Sequence, residues 1–232
     1  MENCDNAAYG SPCFTRTVLK GQPAVENTKM YALILAGGKS RRMGHDKTLI
    51  QFNGKSFLEY AVEFWESVPE IGGIYLSVGS REHLEMLKQD ETSGKIIEEE
   101  RVIPVFDKYE GCGPMAGMLA GFEAGDADLL YVSAIDIVRI NRSLLIKADD
   151  PEADAYIYEY GDFTEPLFGI YSRRLVPAME ELLESGIYKI KQLLKRGNTK
   201  YIPLREDQQE FFLNCNTPEE LEKLKKEKIT LG

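Results

Sequence analysis

"YALILAGGKSRRMGHDKTLI", residues 31–50, decides how the rest of this chain is read. An apolar run with strand propensity breaks at Gly37 and Gly38, and Lys39, Arg41, Arg42 and Lys47 then fall within nine positions. The full chain of 232 residues carries 38 acidic against 28 basic residues, a formal net charge of −10. Proteins that track nucleic acid present broad basic faces, so one cationic cluster in an acidic chain argues against that class of partner. It argues for a small phosphorylated ligand gripped locally.

A strand that runs straight into two glycines places a loop at the strand's carboxyl end, where open α/β sheets bind their ligands. Glycines let the backbone come close to a ligand and turn N–H groups toward phosphate oxygens. The spacing is neither GxGxxG nor GxxxxGK[ST], because Gly37-Gly38 is followed by Gly44 and only then by Lys47. Arg42 suits a forked phosphate contact and Lys47 a point contact on one phosphoryl group. Lys39 and Arg41 read equally well as charge on a solvated loop.

Outward from this stretch, apolar runs at 72–79, 101–106 and 128–136 alternate with helical patterns at 56–68, 81–90 and 113–125. That alternation predicts a largely parallel sheet with crossover helices. Residues 56–68 put Leu58, Ala61, Val62 and Trp65 on one helical face, and Pro114 stands near the first turn of the third helix. Beyond Asp136 the pattern changes to two β-like runs, 153–160 and 166–172, read as a hairpin or crossing pair on the main sheet. Two helices, strands at "TKYIPL" and "EFFLNCN", and a last helix "TPEELEKLKKEK" follow. Thr217 caps that helix, with Pro218 at its first position and Glu220 three residues after the cap.

Residues 1–29 lack strand or helix periodicity and are read as an extension of low intrinsic order, with the domain proper spanning 30–232. There is no run of 18 or more apolar residues and no basic region followed by an apolar stretch at the N-terminus, so a soluble, cytoplasmic protein without a membrane partner is expected. Cys4, Cys13, Cys112 and Cys215 form no CxxC pair and are expected as reduced thiols. His45 is placed in the basic loop and His83 on a surface-like helix, so no Ser–His–Asp or Cys–His nucleophile set is in view. Spacing alone reads Asp136 and Asp107 as turn or loop caps and Asn216 as a helix-entry residue.

The string "LAGGKSRRMGHDK" resembles the signature LAGGxSxRMGxDK of the nucleotidyltransferases related to molybdenum cofactor guanylyltransferases. The likeness continues in order through "VFDKYEGCGPMAGMLAG", "LLYVSAID", "EPLFGIY" and "LNCNTPEEL", covering residues 31–224. It implies a glycosyltransferase-A-like, Rossmann-related α/β/α sandwich of three layers with a mostly parallel mixed sheet. It implies a nucleotide held by Leu35, Ala36, Gly37, Gly38, Lys47, Asp107 and Asp136, with Asp107 on the ribose and Asp136 holding Mg²⁺. Asn214 and Asn216 fall on positions near the metal and the acceptor, and Gly113, Pro114, Ala116 and Gly117 on the segment that lets a helix start close to the nucleotide. The run "SAIDIVRIN" departs from the family, which has a polar or Cys residue before this Asp and a Pro-containing loop after it.

What the resemblance implies chemically is nucleotidyl transfer, with Arg42, Lys47 and Asp136 as the catalytic set. An acceptor phosphate with its second pKa near ~6 is already a dianion at neutral pH and needs positioning and charge neutralisation rather than a general base. The double glycine is similar to the branch that uses GTP, where relatives using CTP show LAAG. The acceptor implied is molybdopterin, with a molybdoenzyme or its maturation chaperone as a further partner. Two other readings stand beside this one: a cytidylyl- or sugar-phosphate nucleotidyltransferase, and a nucleotide-binding chaperone that has lost turnover.

Overall fold

The computed structural model of the chain describes residues 28–37, 46–109, 111–212, 220 and 222. The first strand, β1 (Met30–Leu35), is apolar throughout its buried length. Its side chains divide between two cores: Ala32 and Ile34 face one and Leu33 and Leu35 the other. A strand buried on both faces must be covered by helices on both, which is the condition that makes a parallel sheet stable.

The remaining elements satisfy it. In chain order they are β2 (Gln51–Phe52), β3 (Lys55–Ser56), α1 (Phe57–Glu66), β4 (Ile71–Val78), α2 (Arg81–Gln89), α3 (Glu91–Glu98), β5 (Ile103–Phe106), α4 (Pro114–Glu123) and β6 (Leu129–Ala134). Then come β7 (Ala155–Tyr160), β8 (Phe163–Ser172), α5 (Val176–Glu184), α6 (Ile190–Leu194) and β9 (Thr199–Pro203). Seven strands form one sheet in the order β5-β4-β1-β6-β8-β7-β9. β8 alone runs against the others, pairing antiparallel with both β6 and β7. Helices α1, α2 and α3 cover one face and α4, α5 and α6 the other. This is the three-layer α/β/α sandwich with a mostly parallel mixed sheet that the sequence predicts.

Two contacts fix the layers near the carboxyl end of β1. On one face Trp65 of α1 donates its indole N–H to Ser133 Oγ of β6 at 3.0 Å, and its ring packs 4.7 Å from Tyr131. A buried indole needs such an acceptor, so α1 is locked to the strand that ends just before Asp136. On the other face α4 lies so close to the sheet that a Cβ on Gly117 would stand 2.6 Å from Ser77 Oγ and 2.9 Å from Leu35 Cδ2.

Several expectations are corrected. The helix read over 81–90 is followed by a second one, α3, because Asp90 is extended and its side chain accepts from Ser93 N, restarting the helix. The Asn53-Gly54 pair, with φ of 47° and 84°, closes a two-residue turn between β2 and β3 that the sequence reading passed over. The run read as strand 128–136 ends at Ala134, leaving Asp136 in the turn beyond it. The strand read at "EFFLNCN" begins instead as part of a 3-10 stretch, Glu206–Phe212, in which Phe212 packs 5.5 Å from both Tyr158 and Phe168. A short apolar run carries too few residues to separate the two periods, and the aromatic core decides. Residues 1–27 of the N-terminal extension and the last helix, apart from Glu220 and Glu222, which are helical, lie outside the described residues; Lys29, at the end of the extension, donates its N–H to Asp128 Oδ2 at 2.8 Å. Among the described residues no helix is long and apolar enough to cross a membrane.

The tight seat of α4 makes a prediction. Gly117→Ala should destabilise the fold by about 1–3 kcal/mol through overpacking, read as a lower denaturant midpoint with unchanged slope. An unchanged midpoint would show that α4 retreats freely.

Candidate active site

The carboxyl ends of β1, β4, β5 and β6 lie side by side, and the sequence places Gly37, Gly79, Asp107 and Asp136 just beyond them. Ser77, near the end of β4, organises this edge. Its carbonyl accepts from both Ala36 N and Gly37 N at 3.0 Å, and its hydroxyl donates to Asp107 Oδ1 at 3.2 Å. A Cβ on Gly37 would come 3.2 Å from Gly79 N, so the chain leaving β1 passes tightly against the chain leaving β4. Leu35 and Ala36 are buried, and Leu35 O accepts from Ile135 N, which ties the end of β1 to the approach to Asp136.

Lys47 and Asp136 are 89 residues apart in sequence and meet here: Lys47 Nζ donates to Asp136 Oδ2 at 2.6 Å. Their side chains are 19% and 14% exposed. An ion pair this shielded differs from a surface bridge, because removing one partner strands the other's charge in a poorly solvated place. The turn that presents Lys47 is set by Asp46, whose Oδ1 accepts from Thr48 N at 2.9 Å at the start of the 3-10 turn Lys47–Leu49.

Two further carboxyls shape the field. Burial pushes the Asp107 carboxyl above the usual range, with the Ser77 hydroxyl partly offsetting it. Glu165 on β8 is 5% exposed and is raised from 4.5 to about 7, first by burial and further by the charge of Asp136, against a lowering by the Leu167 N–H it accepts. Carboxylates gathered at a sheet edge with a lysine among them form a place where cations are favoured. Among the described residues no group of three His, Cys, Asp or Glu side chains could hold a metal ion. A lone carboxylate such as Asp136 could take part in holding a hard cation only where most of the oxygens come from elsewhere, as phosphates and water supply them to Mg²⁺.

Of the residues singled out from sequence, Leu35, Ala36, Gly37, Lys47, Asp107 and Asp136 converge on this edge. Gly38, Arg42, Asn214 and Asn216 lie outside the described residues, as do Lys39, Arg41 and His45. Sequence reasoning missed Ser77 and Glu165; a serine inside the strand run "YLSVG" and an acid just before Pro166 were the available signals. It also placed His83 on a surface-like helix, whereas the imidazole is 15% exposed and its Nε2 lies 2.8 Å from Asp46 Oδ2.

The sequence profile of the MobA-like NTP transferase domain matches residues 32–200, well over half the chain. The chain belongs to this family. It is a nucleotidyltransferase, and molybdenum cofactor guanylyltransferases are among its curated relatives. That of Vibrio vulnificus is 33% identical over 195 residues, covering 82% of this chain and 91% of the relative. A probable one from Geobacillus is 31% identical over 199 residues, covering 84% and 97%. Among solved structures, the molybdopterin-guanine dinucleotide biosynthesis protein A of Archaeoglobus fulgidus superposes with a TM-score of 0.68 at 25% identity, covering 84% of this chain and 96% of that one. The 4-diphosphocytidyl-2C-methyl-D-erythritol synthase of Anaerococcus prevotii, at 17% identity, a TM-score of 0.62 and coverage of 85% and 95%, shares the fold. The family match includes Lys47, Asp107 and Asp136 and stops short of Asn214 and Asn216.

The state of Glu165 gives this nucleotidyltransferase a pH-dependent stability. Its carboxyl keeps a proton in the fold up to about 7, while the unfolded chain releases it from 4.5, so stability falls as pH rises through that window. Glu165→Gln should match the parent near pH 4.5 and exceed it above pH 7, by at most about 3 kcal/mol. Equal melting temperatures for the two at pH 8 would contradict the burial assigned to this carboxyl.

Proposed function

We propose that the protein transfers a guanylyl group from GTP to the terminal phosphate of molybdopterin, releasing pyrophosphate. The observation that carries this reading is the Lys47–Asp136 pair, shielded and 2.6 Å long, at the sheet edge where β1 opens into its glycine loop. The sequence resemblance and the names of the relatives, molybdenum cofactor guanylyltransferases, support this nucleotide and this acceptor. The edge supplies the matching chemistry of a cation, a carboxylate and a closely approachable backbone.

The step is an in-line displacement. An oxygen of the acceptor phosphate, already a dianion, forms a bond to the α-phosphorus of GTP, and the bond from that phosphorus to the bridging oxygen breaks with pyrophosphate leaving. No proton has to be removed from the attacking group at neutral pH. Leu35, Ala36 and Gly37 wall the entry to the nucleotide loop, with Gly37 admitting a close backbone approach. Asp107, its orientation fixed by Ser77, accepts from the ribose hydroxyls. Lys47 supplies an ammonium to the phosphate oxygens, where charge accumulates as pyrophosphate departs. Asp136 would hold Mg²⁺, which supplies charge neutralisation and orientation of phosphate oxygens when bound.

Pyrophosphate release measured with GTP, CTP, ATP and UTP, each with molybdopterin and with simple sugar phosphates, tests donor and acceptor together. GTP with molybdopterin should give the highest kcat/KM; preference for CTP or for a sugar phosphate would replace the reading with its nearest rival. Asp136→Ala should abolish Mg²⁺-dependent release, and Lys47→Ala should lower kcat on the order of 100-fold with a smaller change in KM. A Lys47→Ala effect confined to KM would remove Lys47 from the transition state.

A further inference from the structure

We infer that His83 is a positioning residue for Lys47, acting through Asp46 to hold the lysine over the sheet edge. The inference rests on the proposed role of Lys47 at the phosphates.

His83 is the third residue of α2, the helix that follows β4, and its own N–H is held by the Ser80 cap at 3.1 Å. Its imidazole is therefore carried on a fixed helix start. From there Nε2 reaches to 2.8 Å from Asp46 Oδ2, with both side chains mostly buried, at 15% and 21% exposed. Asp46 is engaged at both oxygens: Oδ1 takes the backbone N–H of Thr48 at 2.9 Å and also its hydroxyl. One oxygen thus builds the turn that begins at Lys47, and the other lies at ion-pair distance from the α2 imidazole, whose Nε2 is buried and has no other hydrogen-bond partner among the described residues. Burial alone would raise the Asp46 carboxyl, yet the contacts from His83 and Thr48 outweigh it and hold the group below its usual range. The carboxylate stays charged and keeps its partners.

Lys47 then crosses to Asp136 beyond the end of β6. Since β4 and β6 flank β1 in the sheet, Asp46 and Lys47 form a strap over the carboxyl end of β1, fixed on the β4 side by His83 and on the β6 side by Asp136. If a nucleotide takes the Lys47 ammonium from Asp136, the β6 fastening is released. The His83 fastening remains, so it sets where the lysine goes. A displacement of about 1 Å at such a group costs on the order of 100-fold in rate, so the fixture matters to chemistry beyond the stability it adds.

A staple that served folding alone would lower the melting temperature without altering the environment of the Lys47 amine. The test therefore measures that amine directly, by competitive acetylation with acetic anhydride and peptide mass spectrometry on the full chain without nucleotide. His83→Ala should raise Lys47 labelling relative to the other lysines by about threefold or more, and His83→Gln, whose amide nitrogen reaches the place of Nε2, should restore it. In steady state His83→Ala should lower kcat by about tenfold with KM for GTP within about twofold, and should cost nothing further in a Lys47→Ala background. Unchanged labelling, or losses that multiply in the double variant, overturns the inference. Asp46→Asn provides the same labelling comparison if His83→Ala fails to fold. Should the parent protein release no pyrophosphate with any nucleotide, the proposed function fails, and the labelling comparison still decides the role of His83.

Discussion

A strand buried on both faces has only its ends at which to meet a ligand, and β1 is such a strand. Helices cover its sides, β4 and β6 saturate its edges, and its carboxyl end leads to Gly37. The candidate site residues among those described gather around that one opening. The strands around β1 bring polar groups to it from different parts of the sequence: Ser77 from its neighbour β4, Asp107 from beyond β5 on the far side of β4, and Asp136 from beyond its neighbour β6. Because parallel strands all end on the same side, no special loop excursion is required to gather residues that lie up to 100 positions apart.

Electrostatics explains why the gathering is stable before any ligand arrives. Asp136, Glu165 and Asp107 are carboxyls in a poorly solvated region, and leaving all three ionised without a counter-charge would be costly. Two remedies are visible. Glu165 is pushed toward its neutral form, and Lys47 is drawn onto Asp136. On the proposed reading these arrangements are provisional: Asp136 would hold Mg²⁺, which would supply positive charge there, and Lys47 would then be available to the phosphates of a nucleotide.

The layered fold was legible because its signals are long and repeated. The apolar strands of the parallel sheet and the amphipathic helices between them each span enough residues to declare their period, and β1 announces its double burial by lacking any polar position. What escaped the reading was short or relational. The Asn53-Gly54 turn spans two residues, α3 restarts after a single extended aspartate, and the apolar residues near Phe212 are too few to show helical from extended spacing. At the site, the basic loop stood out because charge beside glycine in an acidic chain is unusual, whereas Asp136 stood out through the family resemblance and not through its spacing. Ser77 and His83 did not, since a serine in a strand and a histidine on a polar helix are ordinary until their partners are known. Their importance lies in Asp107 and Asp46, 30 and 37 residues away, and no local pattern encodes such a distance.

The same contrast bears on how this site separates binding from chemistry. Groups that touch a ligand must suit its charge, and that requirement leaves a compositional trace, such as the cluster of lysine and arginine in an acidic chain. Groups that aim them are constrained by geometry instead, so any donor of the right reach serves and the residue type varies freely. His83 belongs to the second kind: what the strap over β1 requires is a nitrogen at the position of Nε2, carried on the fixed start of α2. The accuracy with which Lys47 meets a phosphate then depends on how α2 is seated against β4, and through Leu84 and Leu87 on the apolar core beneath it. On the proposed roles of Lys47 and His83, core packing on that face would set the fixed point from which the lysine is aimed.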